Sequence, residues 1–300
     1  MNKLLLLFLF LTSISYGQDC TDFTGGATLN QNEIQFNALN GTNSFNELNI
    51  RTKTGPNGEL SMAEYTSLIY SMNVWAGCTG VNGGLKMAAG TYGSGATSDW
   101  SPGPLDENGQ GFILSGNMET CEIFDRTYKI TKNDLLEAHT ASYDGCQLKS
   151  NVDCDDIPDA IKNWPARGNE FLFDGLSDEI KNIDYSDFWD ENQNGLYEPC
   201  EGDLPFIFIQ GCELISDNCI TDAIDNMPDQ LLYWIMNDNS KAHELTNAPA
   251  LKIEVHNYVL MYDSKQDKQS IAYDGESNQT VQWQYKIINK STEEYKDFYF

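Results

Sequence analysis

The residues best placed to do chemistry lie in one short stretch of the chain, residues 190–201. It reads DENQNGLYEPCE and matches the calcium-loop pattern D-x-[DN]-x-[DN]-G-x5-E at every constrained position. A Ca2+ ion takes six to eight oxygen ligands at about 2.3–2.6 Å, which such a loop supplies from side chains and a backbone carbonyl. The predicted ligands are Asp190, Asn192, Asn194, Leu196 through its backbone carbonyl, Glu198 directly or through water, and Glu201.

The exit side of this loop departs from an EF-hand. Pro199, Gly202 and Pro205 stand where an exit helix would begin, and these residues do not favour one. The alternative is an acidic, Asn- and Gly-rich turn whose charges face water. We favour a bound cation, with a structural and not a catalytic role.

Enzyme signatures are incomplete in this sequence. Gly93-Ser94-Gly95 lacks the spaced glycines of a nucleophile elbow. His243-Glu244 begins an H-E-x-x-H zinc motif, but residue 247 is Asn, so the second histidine is missing. A carboxylate pair for glycoside cleavage is not identifiable among 45 acidic residues, and no catalytic residue is assigned.

The N-terminus predicts export. Residues 1–17 place Lys3 before an apolar run at residues 4–11 and small residues near the end, as in a secretory signal peptide. The run is far shorter than the ~20 apolar residues that span a bilayer, and no other stretch is long enough. We expect a secreted or cell-surface protein without a transmembrane segment.

The charge of the chain is strongly acidic. Cleavage after residue 17 removes one lysine and no acid from 18 basic and 45 acidic residues, which leaves a net charge of −28. Nucleic acid is therefore excluded as a partner, because binding it requires the opposite charge. Residues 146–230 hold 20 acids and 4 basic residues. Cations bound in this stretch would relieve its self-repulsion.

Eight cysteines in an exported chain indicate disulfides. The even number permits full pairing, and sequence alone cannot choose among the 105 connectivities of eight cysteines. Among neighbours we favour the pairs Cys146/Cys154 and Cys212/Cys219. Zinc is the competing interpretation, but the chain contains no C-x-x-C and only three scattered histidines.

The elements that position these residues have mostly a period of two. Residues 251–255 alternate apolar and polar side chains and run on into the apolar residues 258–262, and residues 281–287 alternate again. This pattern predicts half-buried antiparallel strands, with a further strand at 298–300. Residues 68–76 and 85–92 predict two more strands joined by a Gly-rich turn. The fold class is therefore mainly β: antiparallel, β-sandwich-like, with a few short helices and long loops.

Helices and divisions of the chain follow from the remaining patterns. Residues 133–139 and 155–161 predict short helices. The expected order is a signal peptide (1–17), a loosely structured lead-in (18–64), a β-rich region with the calcium-type loop (65–230), and an antiparallel sandwich portion (231–300). The aromatic residues at 298–300 carry no stop signal, so we expect the polypeptide to continue.

Tryptophans offer a choice between a core and a sugar-binding face. Trp234 and Trp283 lie in strand patterns and are expected in the core. Trp100 and Trp164 lie near Gly and Pro and are the candidates for exposed contacts with a glycan.

Several short motifs carry a resemblance through their joint order. They are Trp75-Ala76-Gly77, Ala88-Ala89-Gly90-Thr91-Tyr92, the residues at 100–106 (WSPGPLD), 125–130 (DRTYKI) and 163–168 (NWPARG), the loop with 202–205 (GDLP), and the residues at 234–238 (WIMND) and 285–291 (YKIINKS). This order resembles the N-terminal region of large, uncharacterised secreted proteins of Bacteroidota that end in a type IX secretion sorting domain. The resemblance covers roughly residues 65–300.

The resemblance implies export through the type IX secretion machinery, a β-rich body and no assigned catalysis. Those proteins usually have Asp at loop positions 5 and 12, where this chain has Asn194 and Glu201. Both residues keep an oxygen ligand. The expected function is a calcium-stabilised structural or adhesive module with an extracellular glycan or protein as partner. The alternative is an exported hydrolase or its accessory carbohydrate-binding module.

Overall fold

A computed structural model describes residues 25–30, 34–39, 47–53, 60–69, 72–91, 98–112, 123–207, 220–262 and 280–300. The fold is mainly antiparallel β, with 34% strand and 20% helix, as the sequence predicts. The signal peptide, Ser94, and Cys20, Cys121, Cys212 and Cys219 lie outside the described residues.

The central sheet is built from three long strands and two short ones. Its long strands are β13 (Gln230–Asn237), β14 (Ile253–Met261) and β15 (Val281–Asn289), in the order β15-β14-β13. The far edge of β13 pairs with β7 (Ser101–Pro102) at one end and β8 (Tyr128–Thr131) at the other. All pairings are antiparallel.

Smaller sheets surround this one. The first holds β1 (Gly26–Leu29), β2 (Ile34–Leu39), β3 (Glu47–Lys53) and β4 (Leu60–Ile69), in sequence order. The second has the order β16 (Lys296–Tyr299), β5 (Ala76–Thr79), β6 (Leu85–Ala88). Two-stranded ribbons are formed by β9 (Tyr143–Asp144) with β10 (Gln147–Leu148), and by β11 (Phe188–Trp189) with β12 (Leu204–Pro205).

One face of the central sheet forms a sandwich with the β1–β4 sheet. Leu232 and Trp234 of β13 pack against Leu29 and Phe36 in one buried cluster. Because side chains alternate along a strand, Met236 lies on the same face, further along, and packs with Trp100 and the β5–β6 strands. This face is therefore covered along its length by two smaller sheets.

The opposite face is covered by helices and loops. They are α1 (Lys132–Ser142), α2 (Asp159–Lys162), α3 (Glu170–Phe173), α4 (Asp178–Lys181), α5 (Ile220–Asn226) and the 3-10 helices Cys154–Asp156 and Pro199–Glu201. Tyr233 and Tyr258 of the sheet share a core with Ile161 and Trp164 of this cover. Helix α1 begins with a capping box, in which Thr131 and Asp134 bond each other's backbone N–H.

Burial on both faces corrects the prediction that residues 251–262 form a half-buried strand. Every residue of β14 is buried, because the cover packs on one face and the small sheets on the other. Strand β15, at the edge, is only partly buried.

Other boundaries also differ from the predicted ones. Strand β5 lies at 76–79, so it begins at the last residue of the predicted strand 68–76 and extends into the Gly-rich turn predicted at 77–84. Strand β4 ends at Ile69, so no single strand spans 68–76. The predicted helix at 155–161 is divided, because Ile157 is extended and Pro158 precedes α2. Four strands occupy much of residues 26–69, where a loosely structured lead-in to residue 64 was expected.

Candidate metal centre

The calcium-type loop connects the two strands of a small ribbon. Strand β11 leads into it and β12 follows it, with Trp189 opposite Leu204 and Phe188 opposite Pro205. Phe188 also packs edge-on against Tyr197, with ring centroids 5.3 Å apart. The ribbon therefore holds the two ends of the loop together, where an EF-hand has a helix on each side of the loop.

The side chains at positions 3, 5, 9 and 12 converge. Asn192 Nδ2 lies 3.2 Å from Glu198 Oε2 and 3.2 Å from Glu201 Oε2. Asn194 Nδ2 donates to the same Glu198 oxygen at 2.5 Å. Two carboxylates from the exit side of the loop thus meet two amides from its entry side.

Asp190, at position 1, organises the turn. Its Oδ2 accepts the backbone N–H of Gly195 at 2.7 Å, and its Oδ1 accepts that of Asn194 at 3.2 Å. Gly195 has φ +79, in the left-handed region that favours glycine. Gly195 therefore makes the sharp turn that the pattern predicts.

Leu196, at position 7, is placed by contacts on both sides. Its backbone N–H donates to Asn194 Oδ1 at 2.7 Å, and the next residue, Tyr197, donates its N–H to Arg167 O at 2.7 Å. The Leu196 side chain lies over Gly168, where an added Cβ would come within 2.7 Å of Leu196 Cδ2. The loop is thus docked onto the segment before α3.

A buried carboxylate beneath the loop was missed by sequence reasoning. Asp203 is fully buried, and its two oxygens accept the backbone N–H groups of Glu191 at 2.9 Å and Glu198 at 2.7 Å. Burial raises the pKa of Asp203 to about 7, against the two backbone hydrogen bonds, and the charges of Asp190 and Glu198 raise it further. With 45 acids in the chain, no sequence signal distinguishes this one from surface acids.

Glu191, at the unconstrained position 2, points to the scaffold and away from the predicted ligands. Its Oε2 accepts from Trp189 Nε1 at 2.8 Å and lies 3.0 Å from the hydroxyl of Tyr143. The same hydroxyl lies 2.6 Å from the backbone oxygen of Gly202. Burial, with the charge of Glu191, raises the pKa of Tyr143 well above its ordinary value, so the hydroxyl keeps its proton as a donor.

A disulfide joins the loop to the helical cover. Cys200 is bonded to Cys154, 46 residues earlier, so the expected pair Cys146/Cys154 is wrong. The shorter span was favoured only for its proximity in sequence, whereas folding brings Cys154 beside position 11 of the loop. Cys146 is bonded elsewhere, and Cys78 is free and buried.

The donor set suits a hard cation. In the arrangement seen in this structure, no three His, Cys, Asp or Glu side chains of the described residues are grouped as metal ligands. The amide nitrogens of Asn192 and Asn194 instead stand between the carboxylates. Rotating each side-chain amide by a half-turn places its oxygen between the carboxylates, where its nitrogen now lies. The rotation breaks the two hydrogen bonds that the amide oxygens now accept from backbone N–H groups. The residues present therefore fit an oxygen-bound ion.

Other residues singled out by sequence have packing roles. His243 is buried, with Nδ1 2.8 Å from Met87 O and Nε2 2.5 Å from Asp238 O. Trp100 and Trp164 are fully buried, so the prediction that they make exposed contacts is wrong. The exposed tryptophan is Trp75, 58% accessible.

Comparisons with protein-family models, curated proteins and solved structures find nothing that matches this chain. Among the described residues, no helix is long and apolar enough to cross a membrane.

Proposed function

We propose that the protein is a secreted or cell-surface module, structural or adhesive in role, that Ca2+ binding at residues 190–201 stabilises. The observation that carries this proposal is the convergence of Asn192, Asn194, Glu198 and Glu201, four of the predicted ligand side chains, in a loop whose ends are fixed by a ribbon. Among the described residues of this structure, the carboxylates of Glu198 and Glu201 are met only by neutral amide N–H groups of the loop. A bound Ca2+ would supply a positive charge to them.

Each ligand has its own part in the proposal. Asp190, Glu198 and Glu201 would provide charge, while Asn192 and Asn194 would provide neutral oxygens, and the carbonyl of Leu196 a further one. Asp203 would not bind the ion. It would hold Glu198 in place from below, as buried hydrogen-bonding partners commonly do for metal ligands.

Electrostatics favours the ion. The three carboxylates among the predicted ligands repel each other, and residues 146–230 as a whole carry 20 acids against 4 basic residues. A divalent cation relieves that repulsion and cross-links the entry and exit sides of the loop. Extracellular modules of this kind bind calcium with dissociation constants of about 10⁻⁴–10⁻³ M, and we expect this range here.

A binding role is supported by what surrounds the loop. The sequence combines an export signal and high acidity with incomplete hydrolase motifs, and the loop lies on a β-rich body. The resemblance to secreted Bacteroidota proteins adds the type IX secretion machinery as the expected export route. An extracellular glycan or protein is the expected partner.

The test is a comparison of binding with turnover. Purified protein is assayed on glycan arrays and on glycan and peptide substrate panels, with calcium or with chelator. The calcium concentration is about 2 mM, roughly twice the weakest dissociation constant expected. We expect calcium-dependent binding to a glycan or protein and no turnover above the blank. Turnover that survives repurification would contradict the module and support the exported hydrolase. Glycan binding that is unaffected by chelator would contradict the role given to calcium.

A further inference from the structure

We infer that the Cys154–Cys200 disulfide controls the calcium affinity of the loop by fixing Glu201, an inference that rests on the proposed calcium site. Cys200 directly precedes Glu201, and both lie in the 3-10 helix Pro199–Glu201. A bond at Cys200 therefore constrains the backbone of the position-12 carboxylate.

The other end of the disulfide is firmly held. Cys154 begins the 3-10 helix Cys154–Asp156. Asp153 caps the N-terminus of this helix, because its side chain accepts the backbone N–H of Asp155. The chain then passes through the buried Ile157 into α2, where Ile161 packs in the core. The disulfide thus anchors the exit side of the loop to a segment that is packed into the core through Ile157 and Ile161.

The remaining anchors act on other ligands. Asp203 holds the backbone of Glu198, and the β11–β12 ribbon holds the entry before Asp190. Tyr197 is fixed by its hydroxyl, which donates to Ile161 O at 2.8 Å. Among the described hydrogen bonds, the carboxylate of Glu201 is met by Asn192 Nδ2 within the loop. The backbone N–H of Glu201 donates to Glu198 O at 2.8 Å, and Tyr143 bonds the carbonyl of the next residue, Gly202. Glu201 is nevertheless the charged ligand that directly follows a disulfide-bonded cysteine.

The chemistry of the switch is an ordinary thiol–disulfide exchange. A dithiol reductant transfers two electrons and two protons, the Cys154–Cys200 bond breaks, two thiols form, and the reductant closes to its own cyclic disulfide. Because binding linkage is reciprocal, a disulfide that strengthens calcium binding is itself made harder to reduce by calcium. The loop then reaches full affinity only in an oxidising compartment.

The first experiment measures calcium affinity by calorimetry in the wild type and in the Cys154→Ser/Cys200→Ser variant. The Cys78→Ser variant is the control, because it replaces a buried cysteine without removing a disulfide. We expect affinity at least about fivefold weaker in the double variant, the low end of typical coupling between sites, and unchanged in the control. In a Glu201→Gln background, removal of the disulfide should have little further effect.

The second experiment uses the wild-type protein, so it tests the coupling even if the double variant fails to fold. Dithiothreitol is added with calcium or with chelator, free thiols are alkylated, and the peptides containing Cys154 and Cys200 are quantified by mass spectrometry. We expect slower reduction of this bond with calcium. If the wild type binds calcium and a folded double variant binds it with equal affinity, the coupling is overturned and the site is not. The same holds if the wild type binds calcium but the disulfide is reduced at the same rate with calcium as with chelator. No calcium binding in the wild type overturns the proposed site as well.

Discussion

Asp203 accepts the backbone N–H of Glu198 at 2.7 Å, and this contact places a fully buried carboxylate directly under the proposed calcium loop. The other oxygen of Asp203 accepts from Glu191, so one side chain joins the entry and the exit of the loop. Neither partner is a side chain, and Asp203 therefore fixes the course of the backbone and leaves the carboxylate of Glu198 available to a cation.

Asp203→Asn should alter the pH dependence of stability. Burial raises the folded-state pKa of Asp203 to about 7 from 3.8. Its stabilising contribution is therefore full below the ordinary pKa and is lost as the pH rises through about 7. At pH 5 in chelator, the variant should be less stable by about 1 kcal/mol, because one N–H loses its acceptor. This difference should shrink by pH 8. Urea unfolding measures it, and a deficit that grows with pH would contradict the assignment.

Gly195→Ala should weaken calcium binding, and Gly175→Ala provides a matched control. Both glycines have positive φ, +79 and +75, and a Cβ on either meets no atom within 4 Å. Each substitution should therefore cost about 1–2 kcal/mol of stability through backbone strain alone. Only Gly195→Ala should also lower calcium affinity, because strain at residue 195 disturbs the turn in which its backbone N–H positions Asp190 Oδ2. Calorimetry alongside thermal unfolding separates the two effects.

Tyr233→Phe should destabilise the protein by about 1–3 kcal/mol, because it leaves a buried histidine nitrogen without its partner. The hydroxyl of Tyr233 lies 2.8 Å from His256 Nδ1, and both residues are fully buried. Chemical denaturation at pH 8 measures the loss. Calcium affinity should not change, since neither residue contacts the loop in the described hydrogen bonds.

His256 should make the protein sensitive to acid. Burial lowers the pKa of His256 from 6.5, although Glu254 raises it in part. Its neutral form therefore contributes stability that is present above about pH 6.5 and lost as the pH falls through the folded pKa. The unfolding free energy of the wild type minus that of His256→Gln should decline as the pH falls from about 7.5 to about 5, because the opposite contribution of Asp203 is common to both proteins and cancels. Parallel profiles would contradict this role.

Trp164→Ala should cost about 3–5 kcal/mol, the range for truncating a large buried aromatic. Trp164 is fully buried, and its ring centroid lies 5.7 Å from that of Tyr233. Trp75→Ala should cost much less, since Trp75 is 58% exposed. Thermal unfolding of the two variants tests this, and equal losses would contradict the burial described.

Local patterns predicted the elements whose signal is contained in consecutive residues. The alternation at 281–287 identified strand β15, and residues 133–139 lie within α1. All the predicted ligands lie within one twelve-residue loop, so their spacing alone placed them on one turn. The sequence of a strand does not show which elements pack on its two faces. The full burial of β14 was therefore not predicted.

Long-range partners escaped prediction for the same physical reason. Cys154 pairs with Cys200 across 46 residues, and Asp203 is an ordinary acid until folding buries it. Trp164 stands beside Pro165 and near Gly168, which suggested an exposed loop. In the structure, the segment around Trp164 packs against the central sheet, and Trp164 is part of the core.

The most direct test of the proposed calcium site is a calorimetric titration of chelator-treated protein with Ca2+. The wild type is compared with Asp190→Ala, Glu201→Ala and the control Glu179→Gln, which removes an exposed acid of α4 outside the loop. We expect one site in the wild type, a dissociation constant of about 10⁻⁴–10⁻³ M, and an unchanged site in the control. Asp190→Ala and Glu201→Ala should each weaken it at least about tenfold, which corresponds to the loss of about 1.4 kcal/mol of binding free energy. No binding by the wild type, or equal binding by all four proteins, would contradict the calcium site.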